Sequence, residues 1–473
     1  MLRLDMDKFI GRKKEKDQIE TFLRDSNKKA ALVYGLRRVG KTSLLRECAN
    51  SFDGVVINYF SLLAPLDENI QQLSSQAFEA LGIEGVKADS LEFLFSYLKQ
   101  QMDKKFLVII DEYQFMKMGC DTLSLDSLFQ KIIDLVLGDN TKLIITGSYM
   151  AMMREVLEEG NPLYGRFSLL LHLKDMDYYA SSAFYEDATL RDKIAFYSIF
   201  GGSPNASRLI NTSLSLKQNI VNLVLNSDGI LRSYVENDLL KEIGKAEDAY
   251  RILSALGNGK RRYTEIAEKL GYSNPSYIDR TLKMLLKIEV IKKVHPINKK
   301  DDNKKVFYEI SNNLVRFYYT YVYKNSEGVL SFLGSDKFYD KMIAPSIDTF
   351  ISYRFEALAK EYFSRAVRVG LIDDDIIEIG SYWYDDKERR TNGEFDIALK
   401  DLNGRYSIVE VKFLRAPMSR ALYEEEMEKI TRIRELNVPA VYFVSSSGFD
   451  FSTTDANFIT AEDIYSEKLK DIM

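Results

Sequence analysis

The sequence of 473 residues contains very little histidine, cysteine or proline: two His, two Cys and eight Pro. Neither a Cys-x-x-Cys pair nor a Cys/His cluster is present, which argues against a structural zinc site and against a disulfide framework. Neither His172 nor His295 is near a recognisable nucleophile motif, so a Ser-His-Asp hydrolase is not expected. Any catalysis should therefore depend on carboxylates, lysine, arginine, hydroxyls or a hard metal ion.

Long apolar runs are also absent. No segment approaches the roughly 18 uninterrupted apolar residues of a membrane span, and residues 1–30 lack an apolar stretch behind a basic start. We therefore expect a cytoplasmic protein with no membrane partner. A hydrophobic fraction of 46% and a charged fraction of 29% are ordinary for a globular chain, and at roughly 100–200 residues per domain the length predicts about three domains.

A phosphate-binding loop follows the first predicted strand. The apolar run AALVY at residues 30–34 leads into GLRRVGKTS at residues 35–43, which matches the pattern G-x-x-x-x-G-K-[ST]. In this pattern the backbone N–H groups surround phosphate, the lysine reaches the β- and γ-phosphate oxygens, and the next hydroxyl ligates Mg²⁺. The residues predicted to bind the nucleotide through this loop are Gly35, Arg38, Gly40, Lys41, Thr42 and Ser43.

Two further predicted strands end in polar residues that suit the same site. The apolar run that begins at residue 105 ends in Asp111 and Glu112, and the run that begins at residue 142 leads to Thr146 and Ser148. Asp111 is suited to coordinate Mg²⁺, and Glu112 is suited to polarise the attacking water. Thr146 or Ser148 could sense the γ-phosphate, although either side chain could equally cap a helix.

These motifs together resemble the prokaryotic "archaeal ATPase" group of AAA+-related, STAND-like P-loop ATPases. The resemblance covers residues 5 to about 205. Besides the phosphate loop, it includes FIGRKKE at 9–15, DEYQ at 111–114, TGS at 146–148 and NPLYGR at 161–166.

The resemblance implies Mg-ATP as the ligand and a small helical lid after the ATPase domain. It also implies that Ile10, Gly11 and Arg12 lie against the adenine, and that Ser148 contributes to the nucleotide site. Arg166 would contact the γ-phosphate, either within one chain or across a homo-oligomer. An ordinary structural ion pair is the alternative for Arg166.

The middle of the chain has the pattern of a winged helix. Three amphipathic helices are predicted at 249–256, 263–270 and 275–286, followed by strands at 290–294 and 305–310. The loop at 298–305 is predicted to be a solvated hairpin tip. The aromatic segment at 308–325 is predicted to pack in the core, with base stacking as the alternative.

Basic residues are concentrated in this middle part, although the whole chain has a net charge of −5. Residues 245–310 contain 15 basic and nine acidic side chains, a net charge of +6. We therefore expect DNA contact through the third helix, weakly specific and dominated by phosphates; use as an internal packing module is the alternative. The side chains predicted to meet phosphates or bases are Asn274, Ser276, Tyr277, Arg280, Lys283 and Lys287.

Two predicted strands near the carboxyl terminus carry acidic and basic side chains in apolar surroundings. The first contains Glu394 and Asp396; the second, after an Asn-Gly turn, contains Glu410 and Lys412. Glu410 and Lys412 are two residues apart and therefore share one face, and across a hairpin Asp396 can approach Glu410. Carboxylates that hold Mg²⁺ or Mn²⁺, with a lysine that stabilises charge at phosphorus, suit metal-dependent phosphodiester cleavage.

This order resembles the PD-(D/E)xK nuclease superfamily, in which a helix bearing Glu precedes the two strands. The resemblance implies Glu356, Asp396 and Glu410 as metal ligands and Glu410 with Lys412 as catalytic residues. The first half of the motif reads E-F-D here rather than P-D. A charged strand pair at a sheet edge is the structural alternative.

We therefore predict an α/β protein with four parts: an AAA+-like P-loop NTPase domain with a parallel sheet (1–175), a helical lid (176–245), a winged-helix domain with a helical extension (246–345) and an α/β restriction-endonuclease-like domain (346–473). One hypothesis is an ATPase that engages DNA and cleaves it in a metal-dependent way. The other is an ATP-switched regulator or adaptor whose C-terminal domain only binds nucleic acid or a partner protein.

Overall fold

The computed structural model describes residues 9–470 apart from 84–85, 240–242, 244–246, 272–274, 326–327, 374, 387–388 and 434–437. The chain divides into two compact units. Unit 1 contains the described residues up to Met176 together with Ser203–Asn205, and unit 2 contains Asp177–Gly202 and the described residues from Ala206 onward. Within the described part of the chain, no helix combines the length and the apolar character needed to cross a bilayer.

Unit 1 is built on a five-stranded parallel sheet in the order β2-β3-β4-β1-β5. Its strands are β1 (Ala30–Tyr34), β2 (Val55–Phe60), β3 (Phe106–Asp111), β4 (Thr141–Gly147) and β5 (Leu169–His172). β3 and β4 are buried along their whole length, which explains why they read as continuous apolar runs rather than as alternating ones. The parallel sheet that the sequence predicts is therefore confirmed.

Helices cover both faces of this sheet, where two separate apolar clusters pack against opposite sides of the strands. They are α1 (Lys13–Arg24), α2 (Lys41–Asn50), α3 (Leu66–Ala80), α4 (Leu91–Gln100), α5 (Tyr113–Met118), α6 (Thr122–Lys131, continued by a wider turn at Ile132–Val136) and α7 (Met150–Glu155). The order places the carboxyl ends of β3, β4 and β1 side by side, and ligands of open α/β sheets bind beyond such ends.

Unit 2 begins with short helices: α8 (Tyr178–Ser182), α9 (Leu190–Phe200), α10 (Pro204–Leu209), α11 (Leu216–Ile220, continued by Val221–Leu225) and α12 (Ile230–Ser233, continued by Tyr234–Leu239). Three longer helices follow: α13 (Glu247–Leu256), α14 (Tyr263–Leu270) and α15 (Pro275–Lys287). They surround a three-stranded antiparallel sheet in the order β6-β8-β7, made of β6 (Arg261–Arg262), β7 (Ile291–Val294) and β8 (Phe307–Ile310).

We call α13–α15 and β6–β8 the helix–sheet module. The positions of its helices and of its two longer strands agree with the sequence prediction to within about two residues. Residues 272–274, which include Asn274, and the side chains of Ser276 and Tyr277 lie outside the described residues. Arg280 and Lys283 are exposed on α15, on the side away from the buried Ile278, Leu282 and Leu285.

The aromatic segment after β8 forms α16 (Asn313–Phe317) and a wider turn (Tyr318–Val322). Phe317, Tyr319 and Val322 are fully buried there, which confirms the prediction of a core segment. Three short helical pieces lead on to the last part of unit 2: α17 (Val329–Leu333), α18 (Ser335–Phe338) and the turn Tyr339–Ile343.

A second five-stranded sheet, in the order β13-β12-β11-β10-β9, ends the chain. Its strands are β9 (Ile376–Asp386), β10 (Thr391–Asp401), β11 (Tyr406–Lys412), β12 (Val441–Ser445) and β13 (Asn457–Thr460). β9, β10 and β11 are antiparallel, whereas β11, β12 and β13 are parallel. The accompanying helices are α19 (Ile347–Arg368), α20 (Arg420–Arg432) and α21 (Ala461–Ile464), with short 3₁₀ turns at Asn303–Lys305 and Glu467–Leu469.

The loop between β7 and β8 has a solvated tip, as the sequence predicts, with Lys300, Asp301 and Lys304 exposed. The loop is in addition docked on the edge strand β9, where the Ile297 N–H donates to the Ser381 carbonyl at 2.8 Å. The Asn298 side chain accepts from the Trp383 N–H at 3.0 Å and donates to the Trp383 carbonyl at 2.8 Å. An edge strand exposes unpaired backbone groups, and covering them explains why this charged loop is docked.

Glu361 on α19 is a half-buried residue of unit 2 with a hydrogen-bonded carboxyl group. It accepts hydrogen bonds from the Tyr197 hydroxyl at 2.8 Å and from the Tyr178 N–H at 3.1 Å, and burial raises its pKa to about 7. Because the folded pKa lies above the ordinary value near 4.5, the folded state holds this proton more tightly than the unfolded state. The resulting stability is complete at acidic pH and is lost as pH rises towards 7.

We expect Glu361→Gln to remove this pH dependence. The variant should gain free energy of unfolding relative to wild type at pH 8, by up to about 3 kcal/mol, and gain little at pH 5. Denaturant unfolding of both proteins at the two pH values measures this difference. An equal loss of stability at pH 5 and pH 8 would show that the carboxyl is ionised throughout.

Candidate functional site

The loop between β1 and α2 is shaped to surround a phosphate group. A Cβ atom on Gly35 would lie 2.1 Å from the Leu173 carbonyl oxygen, so only glycine fits at that position. The buried Lys41 Nζ donates to the carbonyls of Gly35 at 2.8 Å and Leu36 at 3.0 Å, which holds the side chain across the loop. Ser43 follows in the first turn of α2, where helix N–H groups favour an anion.

A hydrogen-bonded pair connects this loop to the end of β3. The Thr42 hydroxyl donates to Asp111 Oδ2 at 2.8 Å, and the Glu112 N–H donates to Asp111 Oδ1 at 3.0 Å. Burial raises the pKa of Asp111, an effect that the Thr42 hydrogen bond partly offsets. The structure therefore brings together the hydroxyl and the carboxylate that the sequence predicts as ligands of Mg²⁺.

Glu112 is held at the edge of this pair by the end of β4. Its Oε2 accepts a hydrogen bond from the Ser148 hydroxyl at 2.6 Å and another from the Gln114 amide. The Gln114 amide also donates to Ser148 at 3.2 Å, which closes a ring of three side chains. The Thr146 hydroxyl is buried without a hydrogen-bond partner among the described residues. Ser148 is thus the one of the two candidate sensors that contacts Glu112.

Gln114 was not singled out as a site residue from the sequence. Its side chain is completely buried, although glutamine is mostly found at protein surfaces. The sequence feature that could have indicated Gln114 is its place in DEYQ, two residues after Glu112. The first turn of α5 brings the two side chains together.

Ser203 and Asn205 form a second group that the sequence did not indicate, and both contact Arg38. The Ser203 hydroxyl donates to the Arg38 carbonyl at 3.2 Å, and the Arg38 guanidinium donates to Asn205 Oδ1 at 3.1 Å.

Arg12 holds the amino-terminal segment against the phosphate loop. Its buried guanidinium donates to the Val39 carbonyl at 2.9 Å and to the Lys174 carbonyl, and it pairs with Glu15 at 3.1 Å. Gly11 and Arg12 both have left-handed backbone angles, with φ of 69° and 58°, directly before α1. Ile10 is half-buried in the same segment. These contacts tie residues 10–12 to the loop, and they neither require nor oppose an adenine contact.

The structure does not bring Arg166 to the phosphate loop. Its guanidinium lies 3.4 Å from Asp134 Oδ2 and donates to the Tyr164 carbonyl at 2.9 Å. Two residues later, Ser168 donates to the carbonyl of Ala30, the first residue of β1. At about 3.3 Å per residue, that position is roughly 16 Å along the strand from Gly35. The predicted contact with the γ-phosphate of the same chain therefore finds no geometric support.

A second polar cluster lies where β10 and β11 meet. Ile397 pairs with Val409, so that Asp396 and Glu410 are the next facing residues. Between its pairings with β9 at Phe395 and Ala398, β10 has one extra residue, a β-bulge in which Asp396 and Ile397 lie opposite Ser381. Bulges re-aim side chains and are frequent beside active sites. The bulge and the register together explain how Asp396 comes to face Glu410.

Two lysines lie beside the buried Glu410. Lys412 Nζ is 3.5 Å from Glu410 and 2.7 Å from Glu426, and Lys429 Nζ is 3.5 Å from Glu410 and 3.3 Å from Glu426. Burial and the nearby Asp396 raise the pKa of Glu410 to about 7. Burial lowers the pKa of Lys412, but the charges of Glu410 and Glu426 outweigh it, so that its pKa is raised. Lys412 therefore stays positively charged beside the carboxylates.

Glu356 on α19 is the third carboxyl group of this charged cluster. Burial, followed by the negative charge of Asp396, raises the pKa of Glu356 to about 8. Burial also raises the pKa of Asp396 itself, although Lys412 and Lys360 partly offset it and the Val411 N–H donates to the carboxylate. The three carboxyls that the sequence predicts as metal ligands thus influence one another through space.

The fit of this cluster to a divalent cation is partial. Oxygen ligands from carboxylates are what Mg²⁺ and Mn²⁺ require, and burial raises the pKa of Asp396 and Glu410 even with Lys412 and Lys429 close to Glu410. Among the residues that the structure describes, however, no three His, Cys, Asp or Glu side chains converge as one metal-binding group. Asp396 and Glu410 are therefore the pair suited to hold an ion. Glu356 acts on this pair through its charge.

Comparison with known proteins assigns the two parts of the chain separately. Residues 9–210 match the family described as an ATPase domain predominantly from Archaea, and residues 318–430 match a family described as archaeal and bacterial proteins of unknown function. The fold and the phosphate loop define a P-loop ATPase. Residues 9–210 are thus similar to the ATPase domains that this family model describes.

The chain is also similar to individual proteins. An uncharacterized protein of Methanocaldococcus jannaschii is 27% identical over 427 residues, which cover 90% of each chain. The structure of the Walker-type ATPase of Pyrococcus abyssi superposes with a TM-score of 0.50 at 20% identity and covers 66% of this chain and 96% of that one. The ORC2 protein of Aeropyrum pernix superposes with a TM-score of 0.44 at 13% identity, over 67% of this chain and 95% of that one.

Proposed function

We propose that this chain hydrolyses ATP in unit 1 with the help of Mg²⁺. The observation that carries this proposal is the hydrogen-bonded series Thr42–Asp111–Glu112–Ser148, which joins the phosphate loop to the ends of β3 and β4. A magnesium ion held by Thr42 and Asp111 would neutralise charge on the phosphates. Structural groups alone would not need a hydroxyl, two carboxylates and a lysine gathered at one edge of a parallel sheet.

The roles of the side chains follow from their positions. Lys41 moves from the loop carbonyls to the β- and γ-phosphate oxygens, because a charged acceptor outcompetes a neutral one. Glu112 orients water towards the γ-phosphorus and takes its proton as the new P–O bond forms and the bond to the β–γ bridging oxygen breaks. Ser148 and Gln114 hold the carboxylate for this task. ADP and inorganic phosphate are the products.

Replacement of Lys41 by Ala should weaken ATP binding by tenfold or more, on the order expected for a charged hydrogen bond. The dissociation constant of a fluorescent ATP analogue with Mg²⁺ measures this effect. Lys28→Ala is the matched control, since Lys28 is a surface lysine that pairs with Asp25 before β1. Equal affinity of Lys41→Ala and wild type would show that the loop does not bind the triphosphate.

We further propose that the helix–sheet module is a winged helix that engages DNA. The order of three helices with strands β6, β7 and β8 supports the fold, and the net charge of +6 over residues 245–310 supports an anionic partner. Arg280 and Lys283 are exposed on α15 and are available for phosphates. The docked loop at 295–306 cannot serve as a free wing while it covers β9, so contact through α15 is favoured.

Metal-dependent phosphodiester cleavage in unit 2 is a second candidate function. It is favoured by the pair Asp396 and Glu410, placed by a bulge and flanked by Lys412, and by the order of α19, β10 and β11. Asp396 and Glu410 would hold Mg²⁺ or Mn²⁺, which activates water for attack at phosphorus. Lys412 would stabilise the charge that develops there. A regulator or adaptor whose unit 2 binds nucleic acid without cleavage remains the competing hypothesis, and the Lys412 variant in the Discussion separates the two.

We also propose that the chain forms a homo-oligomer. Arg166 precedes Ser168 by two residues, and Ser168 bonds to the first residue of β1, at the end of that strand away from the phosphate loop. An arginine contributed to a neighbouring copy would fit this position, and light scattering with and without ATP would detect the assembly. The ion pair with Asp134 is the structural alternative.

A further inference from the structure

Lys260 brings a positive charge from the helix–sheet module to the Asp396–Glu410 cluster. Lys260 lies in the turn between α13 and β6, and its Nζ contacts both carboxylate oxygens of Glu394 at 2.6 Å. Glu394 precedes Asp396 by two residues on β10, next to the bulge. The charge of Lys260 also partly offsets the raised pKa of Glu356, so it acts on the carboxyl groups of the cluster. Two separate parts of unit 2 therefore meet at one group of charges.

The docked loop keeps these two parts in a fixed relation. Ile297 and Asn298 are hydrogen-bonded to β9, as described above, and Lys305 Nζ lies 3.2 Å from the centre of the Trp383 ring. A Cβ atom on Gly380 would lie 2.5 Å from the Ile297 side chain, so the close approach depends on glycine. Lys300 adds an ion pair to Glu378 at 2.7 Å. The position of Lys260 is thus set by contacts other than its own ion pair.

Lys260 remains accessible despite its pairing. Its side chain is 36% exposed, whereas that of Glu394 is 20% exposed and that of Glu410 only 2%. Its ammonium group also contacts the face of the Phe307 ring, with Nζ 5.1 Å from the ring centre. A half-exposed cation at the rim of a buried carboxylate cluster suits a polyanion that reaches the cluster from solvent.

We propose that Lys260 binds a backbone phosphate of nucleic acid next to the Asp396–Glu410 pair, and that Glu394 competes with this phosphate for the lysine. The substrate strand would then lie along the rim where the helix–sheet module meets β10, so that both parts of unit 2 contact it. This inference rests on the nucleic-acid engagement proposed above and adds to it the place of contact. The chemistry is that of the phosphodiester backbone, which DNA and RNA share.

The competition predicts opposite effects for the two partners of one ion pair. Lys260→Ala should weaken nucleic-acid binding on the order of tenfold and reduce the slope of log K against log salt by about 0.9 for a duplex or 0.7 for a single strand. Glu394→Gln should tighten binding, because the lysine is released, and most of this gain should vanish in the double variant Lys260→Ala/Glu394→Gln. A merely structural ion pair would give losses of similar size from either side.

Binding of labelled duplex DNA, single-stranded DNA and RNA to the full chain, in EDTA and over a salt series, tests this inference. Lys217→Ala and Asp340→Asn are matched controls, because that ion pair, at 2.8 Å, lies in unit 2 outside the helix–sheet module and the last sheet, and they should leave affinity and slope unchanged. The nucleic acid with the largest loss on Lys260→Ala is the one bound there. If wild type binds nucleic acid and both Lys260→Ala and Glu394→Gln bind it equally well, the inference is wrong and the proposed function stands. If wild type binds none of the three, the proposed engagement of nucleic acid fails first, and the inference fails with it.

Discussion

Glu112→Gln is expected to reduce ATP turnover by about 10²–10⁴-fold while leaving the affinity for Mg-ATP close to that of wild type. The Glu112 carboxylate accepts hydrogen bonds from two side chains, those of Ser148 and Gln114, at the edge of the sheet where β3 ends. Glutamine keeps the size and one acceptor oxygen but cannot take a proton from water. Catalysis is therefore lost while the phosphate loop and the Thr42–Asp111 pair are left intact.

Separate measurements of turnover and of nucleotide affinity distinguish this outcome from a folding defect. Glu92→Gln is a suitable control, since Glu92 lies in the first turn of α4 and pairs with the exposed Lys131 at 3.4 Å. That variant should hydrolyse ATP at the wild-type rate. If Glu112→Gln also turned over ATP at the wild-type rate, another group would have to position the water, and Glu112 would serve only to cap the start of α5.

Lys412→Ala is expected to abolish metal-dependent cleavage of nucleic acid, with a loss of about 10²–10³-fold or more. Lys412 Nζ lies 3.5 Å from Glu410 and 2.7 Å from Glu426, and the two carboxylates keep it charged. Without it, only Lys429 would remain beside Glu410 to offset the negative charge that develops at phosphorus. Products released from linear, nicked, branched and RNA substrates with Mg²⁺ or Mn²⁺ give the rate.

The control for this variant is Lys400→Ala. Lys400 is on the neighbouring strand β10 and lies over the Tyr406 ring at 5.9 Å, away from the carboxylate cluster. The Lys400→Ala variant should cleave nucleic acid at the wild-type rate. Absence of cleavage by wild type, or equal cleavage by Lys412→Ala, would leave unit 2 as a binding module and would favour the regulator or adaptor.

The ATP site was largely predictable because each of its parts is local in sequence. Lys41 and Thr42 follow the first strand directly, and Asp111 and Glu112 end another, so that the parallel sheet alone brings them to one edge. The hydrogen bond between Thr42 and Asp111 is the contact that this reasoning expects. The choice between Thr146 and Ser148 could not be made from the sequence, because it depends on which side chain of β4 faces Glu112.

Contacts between distant segments were not predictable in the same way. Ser203 meets Arg38 across 165 residues and Lys260 meets Glu394 across 134, and no local pattern encodes either approach. The docking of the loop at 295–306 was missed because β9 was not recognised as a strand: its sequence IIEIGSYWYDD is half-buried almost throughout and shows no clear alternation. An edge strand that needs a cover becomes evident only once the sheet is complete.

Release of inorganic phosphate from Mg-ATP by the purified full-length chain, compared with Lys41→Ala, is the most direct test of the central claim that unit 1 hydrolyses ATP. We predict Mg²⁺-dependent release by wild type, suppressed by EDTA and reduced to background in the variant. Release at the same rate by both proteins, or no release by wild type at any ATP concentration, would contradict the claim.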